Sequence, residues 1–208
     1  MDYKDYQTAS ERHLSTCLKL KEIVVSSYSH DSLLPNELKT KNELLCNIYY
    51  LSGYIIECIV NYGILKCINF EEISTKQRIS DIPQLKLEHN DYKVSYSPKY
   101  EYGARYYLYR PAHRHFPTDR RKYGGGSPNI DFFKNAAGIQ GKEIDQIHSM
   151  LNSSIVIKLF RSWSVETRYS ICPDILNGNS VNERYVLEFL KFADLVYMNL
   201  TYHIIPKL

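Results

Sequence analysis

The segment from Leu44 to Ile68 places the strongest constraint on how this chain can fold. Apolar residues recur there every three or four positions, at Leu44, Ile48, Leu51, Ile55, Ile59 and Tyr62, with a second set at Leu45, Tyr49, Ile56, Val60 and Ile64. This spacing predicts a long helix with apolar residues on most sides. The segment is long enough to cross a bilayer, but Glu57 near its middle would be costly in lipid. We therefore predict the central helix of a soluble bundle, with no membrane association.

Helical periodicity continues on both sides of this segment. A first helix is predicted to open at Ser10 and to end near residues 26–27, because apolar residues recur at helical spacing between them. One continuous helix is predicted toward Tyr169, with Ile144, Ile147, Leu151, Ile155, Leu159 and Trp163 as its apolar residues. Ser180 and Glu183 have capping-box spacing and predict the start of a last helix, with Val186, Phe189, Ala193, Val196 and Leu200 on one face. The prediction is an all-α chain, one domain over residues 1–208, built as an up-and-down bundle of about four long helices.

Between the second and third of these helices the composition changes abruptly. The window from Tyr92 to Tyr123 holds eight Lys or Arg residues against two acids, and it also holds eight of the 19 tyrosines. Its charge of +6 exceeds the +3 of the whole chain. Pro98, Pro111 and Pro117 disfavour regular strands and helices there. Residues 88–127 are therefore predicted to form an irregular, basic and tyrosine-rich insertion in the bundle.

Cations interleaved with aromatic rings suit single-stranded nucleic acid, because the cations neutralise phosphates and the rings stack on bases. Tyr and Arg are also enriched at protein–protein interfaces, so residues 92–123 fit RNA, another single-stranded nucleic acid or a protein partner equally well. The candidate binding residues are Arg105, Tyr106, Tyr107, Tyr109, His113, Arg114, Arg120, Arg121 and Lys122, together with Arg161 and Arg168, which share a helix face seven residues apart.

The remaining signals concern compartment and cofactors. The five cysteines (Cys17, Cys46, Cys58, Cys67 and Cys172) form neither a disulfide framework nor a four-ligand zinc pattern. His113 and His115 have the spacing of metal ligands on a strand, but no acid or cysteine nearby completes a set. The first residues lack the apolar core of a secretory signal. We expect a cytoplasmic protein with no metal and no cofactor.

Three segments of the chain carry a resemblance to a known family. Residues 10–14 form a Ser-Glu-Arg-His-Leu step at the start of an amphipathic helix. Residues 44–58 form an apolar stretch in which the small pair Ser52-Gly53 precedes an aliphatic-Glu-Cys step. Residues 163–169 run from a tryptophan to an Arg-Tyr ending before a proline turn. Together these segments resemble the HEPN family of small helical-bundle proteins.

The resemblance implies a HEPN-like bundle that often dimerises and occurs in toxin–antitoxin, abortive-infection and other antiphage systems. Many members are metal-independent ribonucleases whose signature is an arginine and a histidine separated by four to six residues. Here that spacing falls on Arg110 and His115. A histidine can move the 2′-hydroxyl proton near neutral pH, and an arginine can hold the phosphate in a bidentate manner. Pro111 stands where the family usually has a polar residue, and it biases Arg110 away from helical geometry.

Two functional hypotheses follow. In the first, the chain is a HEPN-like effector that acts on RNA in a defence or toxin–antitoxin system, with Arg110 and His115 as catalytic residues. In the second, it is a non-catalytic HEPN-like binding or scaffold subunit of a multi-protein defence complex, and its insertion contacts a partner. The Arg-to-His spacing favours the first hypothesis and Pro111 favours the second. In either case we expect a homodimer or a subunit of a larger complex.

Overall fold

The computed structural model describes residues 4–28, 33–67, 88–89, 92–93, 142–163, 172–178 and 180–207. Its α-helices are α1 (Lys4–Ser27), α2 (Pro35–Cys67), α3 (Lys142–Leu151), α4 (Ser154–Ser162) and α5 (Glu183–Asn199). A π-helical turn (Leu200–Ile204) and a 3₁₀ turn (Ile205–Lys207) follow α5, and another 3₁₀ turn covers Pro173–Ile175. Two short antiparallel strand pairs join β1 (Glu88–His89) to β2 (Tyr92–Lys93) and β3 (Leu176–Asn177) to β4 (Ser180–Val181). The described part of the chain is a helical bundle, which confirms the all-α prediction.

Helix α2 is the centre of this bundle. It packs most extensively on α1 and next on α5, and every side chain from Ile55 to Val60 is buried. Residues 55–60 are covered on all sides and therefore need apolar residues on all sides, which explains why both apolar stripes run through this part of the helix. By length and composition alone, Pro35–Val60 could span a membrane, but 61% of its most apolar window is buried inside the protein. The core helix of a soluble protein and a signal sequence near the N-terminus can both have this length and composition.

Helix α1 begins six residues earlier than the sequence predicts. Ser10 has the character of an N-cap, but it lies inside the helix, fully buried, and its hydroxyl donates a hydrogen bond to the carbonyl of Ile55 at 2.9 Å. Two turns further along the same face, the Cys17 thiol approaches the carbonyl of Ile48 at 3.7 Å. These two contacts fix the alignment of α1 on α2, and they make use of two small polar side chains that would otherwise be buried without partners.

The start of α2 is set by local chemistry. Pro35 is the first residue of the helix. Its lack of an N–H costs no hydrogen bond there, because N–H groups in the first turn have no partner within the helix. The carboxylate of Glu37 accepts a hydrogen bond from the backbone N–H of Leu34 at 2.8 Å, which is half of a capping box. Leu34 is 66% exposed, so this end of the helix extends away from the core.

The predicted continuous helix over residues 144–169 is wrong. The chain leaves the helix at Asn152 and Ser153 and starts again as α4, whose N-cap Ser153 accepts a hydrogen bond from the backbone N–H of Val156. Helix α4 then ends at Trp163, which has extended backbone angles. The apolar spacing continues through the break, so periodicity alone gave no sign of it, whereas serine is a favoured N-cap.

The predicted capping box of the last helix is also wrong. The N-cap of α5 is Asn182, whose side chain accepts a hydrogen bond from the backbone N–H of Tyr185 at 3.1 Å. Ser180 instead belongs to β4, and its hydroxyl bonds to the carbonyl of Asn177 across the tight turn that Gly178 makes with φ of 62°. The predicted apolar face of α5 is confirmed, because Val186, Phe189, Ala193, Val196 and Leu200 are all buried.

Candidate functional site

Nearly all of the residues predicted to act in catalysis or binding lie outside the described part of the chain. These are Arg105, Tyr106, Tyr107, Tyr109, Arg110, His113, Arg114, His115, Arg120, Arg121, Lys122 and Arg168. Arg161 lies in α4, but its side chain is not among those described. The strand pair β1–β2 is the only described part of the predicted insertion at residues 88–127. The structure therefore places none of these side chains, and the candidate site must be built from the residues that are described.

The described parts of the three segments that resemble the HEPN family meet around the indole of Trp163. The ring of Tyr54 packs edge-on against this indole at a centroid distance of 5.2 Å, and Tyr50 packs edge-on against Tyr54 at 4.9 Å. The ring of His13 packs against Tyr54 in a tilted arrangement, at a centroid distance of 5.8 Å. We call His13, Tyr50, Tyr54 and Trp163 the Trp163 cluster. It joins α1, α2 and the end of α4.

Trp163 is held from several directions. Its Nε1–H donates a hydrogen bond to the carbonyl of Tyr50 at 2.9 Å, and its backbone N–H donates to the carbonyl of Leu159 at 3.0 Å. The indole also lies directly over Gly53, where any β-carbon would overlap the ring. The small pair Ser52-Gly53 thus has a defined use, since it lets an indole approach the backbone of α2 closely. Only 1% of Trp163 is exposed.

Burial shifts the pKa values of two groups in the Trp163 cluster, His13 and Tyr54, toward their uncharged forms. Burial lowers the pKa of His13, and the neighbouring Arg12 guanidinium lowers it further. Burial is also the main reason that the pKa of Tyr54 is raised, with smaller contributions from Tyr50 and Glu57. His13 is therefore neutral at physiological pH, and a neutral imidazole is the form that accepts a proton in general-base catalysis. The imidazole of His13 and the phenol rings of Tyr50 and Tyr54 are each partly buried.

A second polar constellation lies where α4 meets the 3₁₀ turn at residues 173–175. The hydroxyl of Ser162 donates a hydrogen bond to one carboxylate oxygen of Asp174, and Lys158 Nζ forms an ion pair with the other at 3.1 Å. A serine beside a lysine has the composition of a nucleophilic site. Lys158 is paired with the Asp174 carboxylate, however, and the Ser162 hydroxyl also donates to that carboxylate rather than to a base. The constellation therefore ties α4 to the turn, next to Arg161 in the sequence.

The sequence pointed to the segments that form the Trp163 cluster but not to its individual residues. His13, Tyr50, Tyr54 and Trp163 all belong to the segments that carry the family resemblance, yet none was predicted as a site residue. Their spacing along the chain reaches 150 residues, so only the contacts that α1 and Trp163, at the end of α4, make with α2 bring them together. Among the described residues, no group of three His, Cys, Asp or Glu side chains is arranged to hold a metal ion.

Comparison of the chain with protein-family models, with curated proteins and with solved structures gives no match in any of the three. The assignment of a function therefore depends on the residues and their geometry.

Proposed function

We propose that this chain is a HEPN-like protein that acts on or binds RNA, as an effector of a bacterial toxin–antitoxin or antiphage defence system. The observation that carries the proposal is the Trp163 cluster. Three segments that resemble one family at separate places in the sequence are in direct contact in the bundle, through the His13–Tyr54 and Tyr54–Trp163 ring pairs. Contact among these segments is what the resemblance requires if it reflects a shared core.

The basic window from Tyr92 to Tyr123 supports RNA as the ligand. Its charge of +6 would neutralise phosphates, and its eight tyrosines would stack on unpaired bases at about 1–3 kcal/mol each. The rest of the chain carries a net charge of −3, so attraction to RNA would be concentrated in this window. In this proposal the protein is cytoplasmic and works as a homodimer or within a larger complex.

In the catalytic form of the proposal, Arg110 and His115 cleave RNA without a metal ion. His115 would take the proton of a 2′-hydroxyl, and Arg110 would stabilise the charge that develops on the phosphate. The 2′-oxygen attacks the adjacent phosphorus, the bond to the 5′-oxygen breaks, and a proton returns to that oxygen. A 2′,3′-cyclic phosphate and a 5′-hydroxyl are the products of this step.

The test is RNA cleavage by the purified full chain in the presence of a chelator. Wild type is compared with Arg110→Ala and His115→Ala, and circular dichroism verifies that each variant is folded. Arg184→Ala and His203→Ala are matched controls, because both residues are exposed on or near α5. We expect cleavage to fall at least about 100-fold in the two site variants and to be unchanged in the controls, since general acid–base catalysis contributes about 10²–10⁴-fold. Equal loss in all four variants would contradict the assignment of the site.

A non-catalytic binding or scaffold subunit is the second candidate function, and Pro111 is the observation that favours it. Proline disfavours helical geometry at Arg110, whereas the family motif lies on a helix. A subunit of this kind would bind through residues 92–123 without cleaving RNA. The cleavage assay separates the two functions, and the binding of labelled single-stranded RNA at low and at moderate salt then separates an RNA ligand from a protein partner.

That binding measurement uses wild type and a variant in which Arg120, Arg121 and Lys122 are all changed to Gln. If RNA is the ligand, wild type binds with an affinity that falls steeply with salt, and the variant shows a smaller salt slope because it neutralises fewer phosphates. Arg184→Gln is the control and keeps the slope of wild type. Absence of RNA binding in wild type would reject the RNA ligand for this window and leave a protein partner.

A further inference from the structure

Cys46 is the most accessible of the four cysteines that the structure describes. The other three, Cys17, Cys58 and Cys172, are buried, whereas Cys46 is partly exposed. Cys46 also lines a groove of about 620 Å³ along α2, whose lining runs from Pro35 to Asn47. A groove of this volume admits a small molecule. A thiol reagent in solution can therefore approach Cys46, while the other three described thiols are covered by protein.

The buried Cys172 lies against the same face of α2 as Cys46. Asn42, Cys46 and Tyr49 are four and three residues apart, so they share this face. On one side of Cys46, Asn42 Oδ1 accepts a hydrogen bond from the backbone N–H of Val181 at 3.0 Å. On the other side, the Tyr49 hydroxyl lies 3.8 Å from Cys172 Sγ. The part of the chain that includes residues 172 and 181 thus touches α2 on both sides of Cys46.

The direction of the Tyr49 side chain brings Cys172 closer still to Cys46. Side chains on a helix lean toward its N-terminus, so the Tyr49 ring extends back toward the level of Cys46 before its hydroxyl meets Cys172. Burial raises the pKa of Cys46, and the neighbouring Cys172 and Glu43 raise it further. The two thiols are therefore close enough to act on each other electrostatically. A disulfide between them carries no charge, so it removes the repulsion that two thiolates would feel there.

We propose that Cys46 and Cys172 are a redox-active pair that forms a reversible disulfide, with a small-molecule disulfide as the oxidant. The sulfur of Cys46 loses its proton and attacks one sulfur of the small disulfide, whose S–S bond breaks, and the first small thiol leaves with a proton. The sulfur of Cys172 then loses its proton and attacks the sulfur of Cys46, and the second small thiol leaves with a proton. Two protein thiols are oxidised, and one small disulfide is reduced to two thiols.

The product fixes residue 172, and with it the 3₁₀ turn at residues 173–175, on the central helix. The two cysteines are far apart in the sequence, so the cross-link closes a long loop in the unfolded chain and stabilises the folded protein. In a reducing compartment such a disulfide forms transiently and senses the redox state, rather than serving as a permanent part of the fold. This site does not depend on the function proposed above, and loss of RNA cleavage or RNA binding would leave it intact.

The experiment is oxidation of the reduced, folded full chain with glutathione disulfide. The reaction is stopped with acid, remaining thiols are alkylated, and mass spectrometry of a digest made without reductant locates every cross-link. We expect the loss of two thiols and one linked peptide pair, which joins Cys46 to Cys172. The melting temperature should rise on oxidation and return to its first value with dithiothreitol. No reaction would overturn the proposal, and so would a cross-link that involves any other cysteine in place of this pair.

Three variants test the order of the two steps. Cys172→Ser should stop at a mixed disulfide, with one glutathione held on Cys46. Cys46→Ser should leave Cys172 as a thiol, because the buried sulfur is not reached first. Cys58→Ser is the matched control, a buried cysteine of α2, and should form the cross-link as wild type does. If Cys172→Ser does not fold, wild type and Cys46→Ser still decide the matter. A stable mixed disulfide on Cys46 in wild type, or oxidation of Cys172 in Cys46→Ser, would contradict the pair.

Discussion

Trp163 and Gly53 are packed so closely that the indole occupies the space of a side chain at residue 53. A β-carbon at Gly53 would meet the rigid indole ring system rather than the end of a flexible chain. The ring cannot move away easily, because its Nε1–H is bonded to the carbonyl of Tyr50 and Tyr54 packs edge-on against it. Gly53 is therefore the residue through which the end of α4 is fixed on α2.

The first prediction is that Gly53→Ala destabilises the protein by about 1–3 kcal/mol, the usual cost of overpacking a core. In a Trp163→Leu background the same change should be neutral or stabilising, by up to about 1 kcal/mol, because alanine has a higher helix propensity than glycine. The measurement is urea unfolding followed by circular dichroism, for all four members of the cycle. An equal loss in both backgrounds would show that the indole is not the cause.

The second prediction concerns the buried hydroxyl of Tyr49, which donates a hydrogen bond to the carbonyl of Leu159 at 2.8 Å. Tyr49→Phe should lower the free energy of unfolding by about 1 kcal/mol. The loss is not larger, because the same carbonyl also accepts a hydrogen bond from the backbone N–H of Trp163. Tyr202→Phe is the matched control, since Tyr202 is 58% exposed and its change should be nearly neutral. Similar unfolding midpoints for Tyr49→Phe and wild type would argue against this bond.

The sequence was informative where one face of one helix decided the outcome. Apolar spacing predicted the all-α class, the central position of α2 and the buried face of α5. It could do so because the packing of apolar side chains is the main source of helix stability in proteins. Spacing could not locate the break between α3 and α4, since the apolar positions continue past Ser153. It also placed the start of α1 too late, because Ser10 bonds across to α2 instead of capping its own helix.

Local sequence patterns could not predict the Trp163 cluster. His13, Tyr54 and Trp163 are far apart in the sequence, and each is compatible with many surroundings until α1 and α4 are packed on α2. The resemblance marked their segments but gave no reason to pair these side chains. Arg110 and His115, which the sequence did single out, lie outside the described residues, so their assignment stays a prediction.

The third prediction distinguishes the two possible N-caps of α5. Asn182→Ala should destabilise the protein by about 1 kcal/mol, because it removes the acceptor for the backbone N–H of Tyr185. Ser180→Ala should cost less, since the Ser180 hydroxyl bonds only within the turn between β3 and β4. Thermal unfolding of both variants beside wild type provides the measurement. The reverse order of stabilities would restore the capping box that the sequence suggested.

The fourth prediction is a loss of stability on mild acidification that depends on His13. Burial and Arg12 lower its pKa in the folded protein below the ordinary value of 6.5. Above that value the imidazole is neutral in both the folded and the unfolded chain, so its contribution to stability is complete. As the pH falls below 6.5, the unfolded chain binds a proton that the folded protein still excludes, and the free energy of unfolding decreases.

The measurement is the melting temperature of wild type, His13→Gln and His203→Gln between about pH 7.5 and about pH 5.5, the range in which histidine titrates. His13→Gln should lose part of the decrease seen in wild type. His203→Gln should retain all of it, because His203 is exposed near the C-terminal end of the bundle. The difference in melting temperature between wild type and His13→Gln at each pH removes the contribution of other titratable groups. Asp194 is one of these groups, and its raised pKa favours the folded state at lower pH, the opposite of the effect of His13. Parallel curves for wild type and His13→Gln would mean that the imidazole of His13 remains solvated beside Tyr54, and would contradict the lowered pKa.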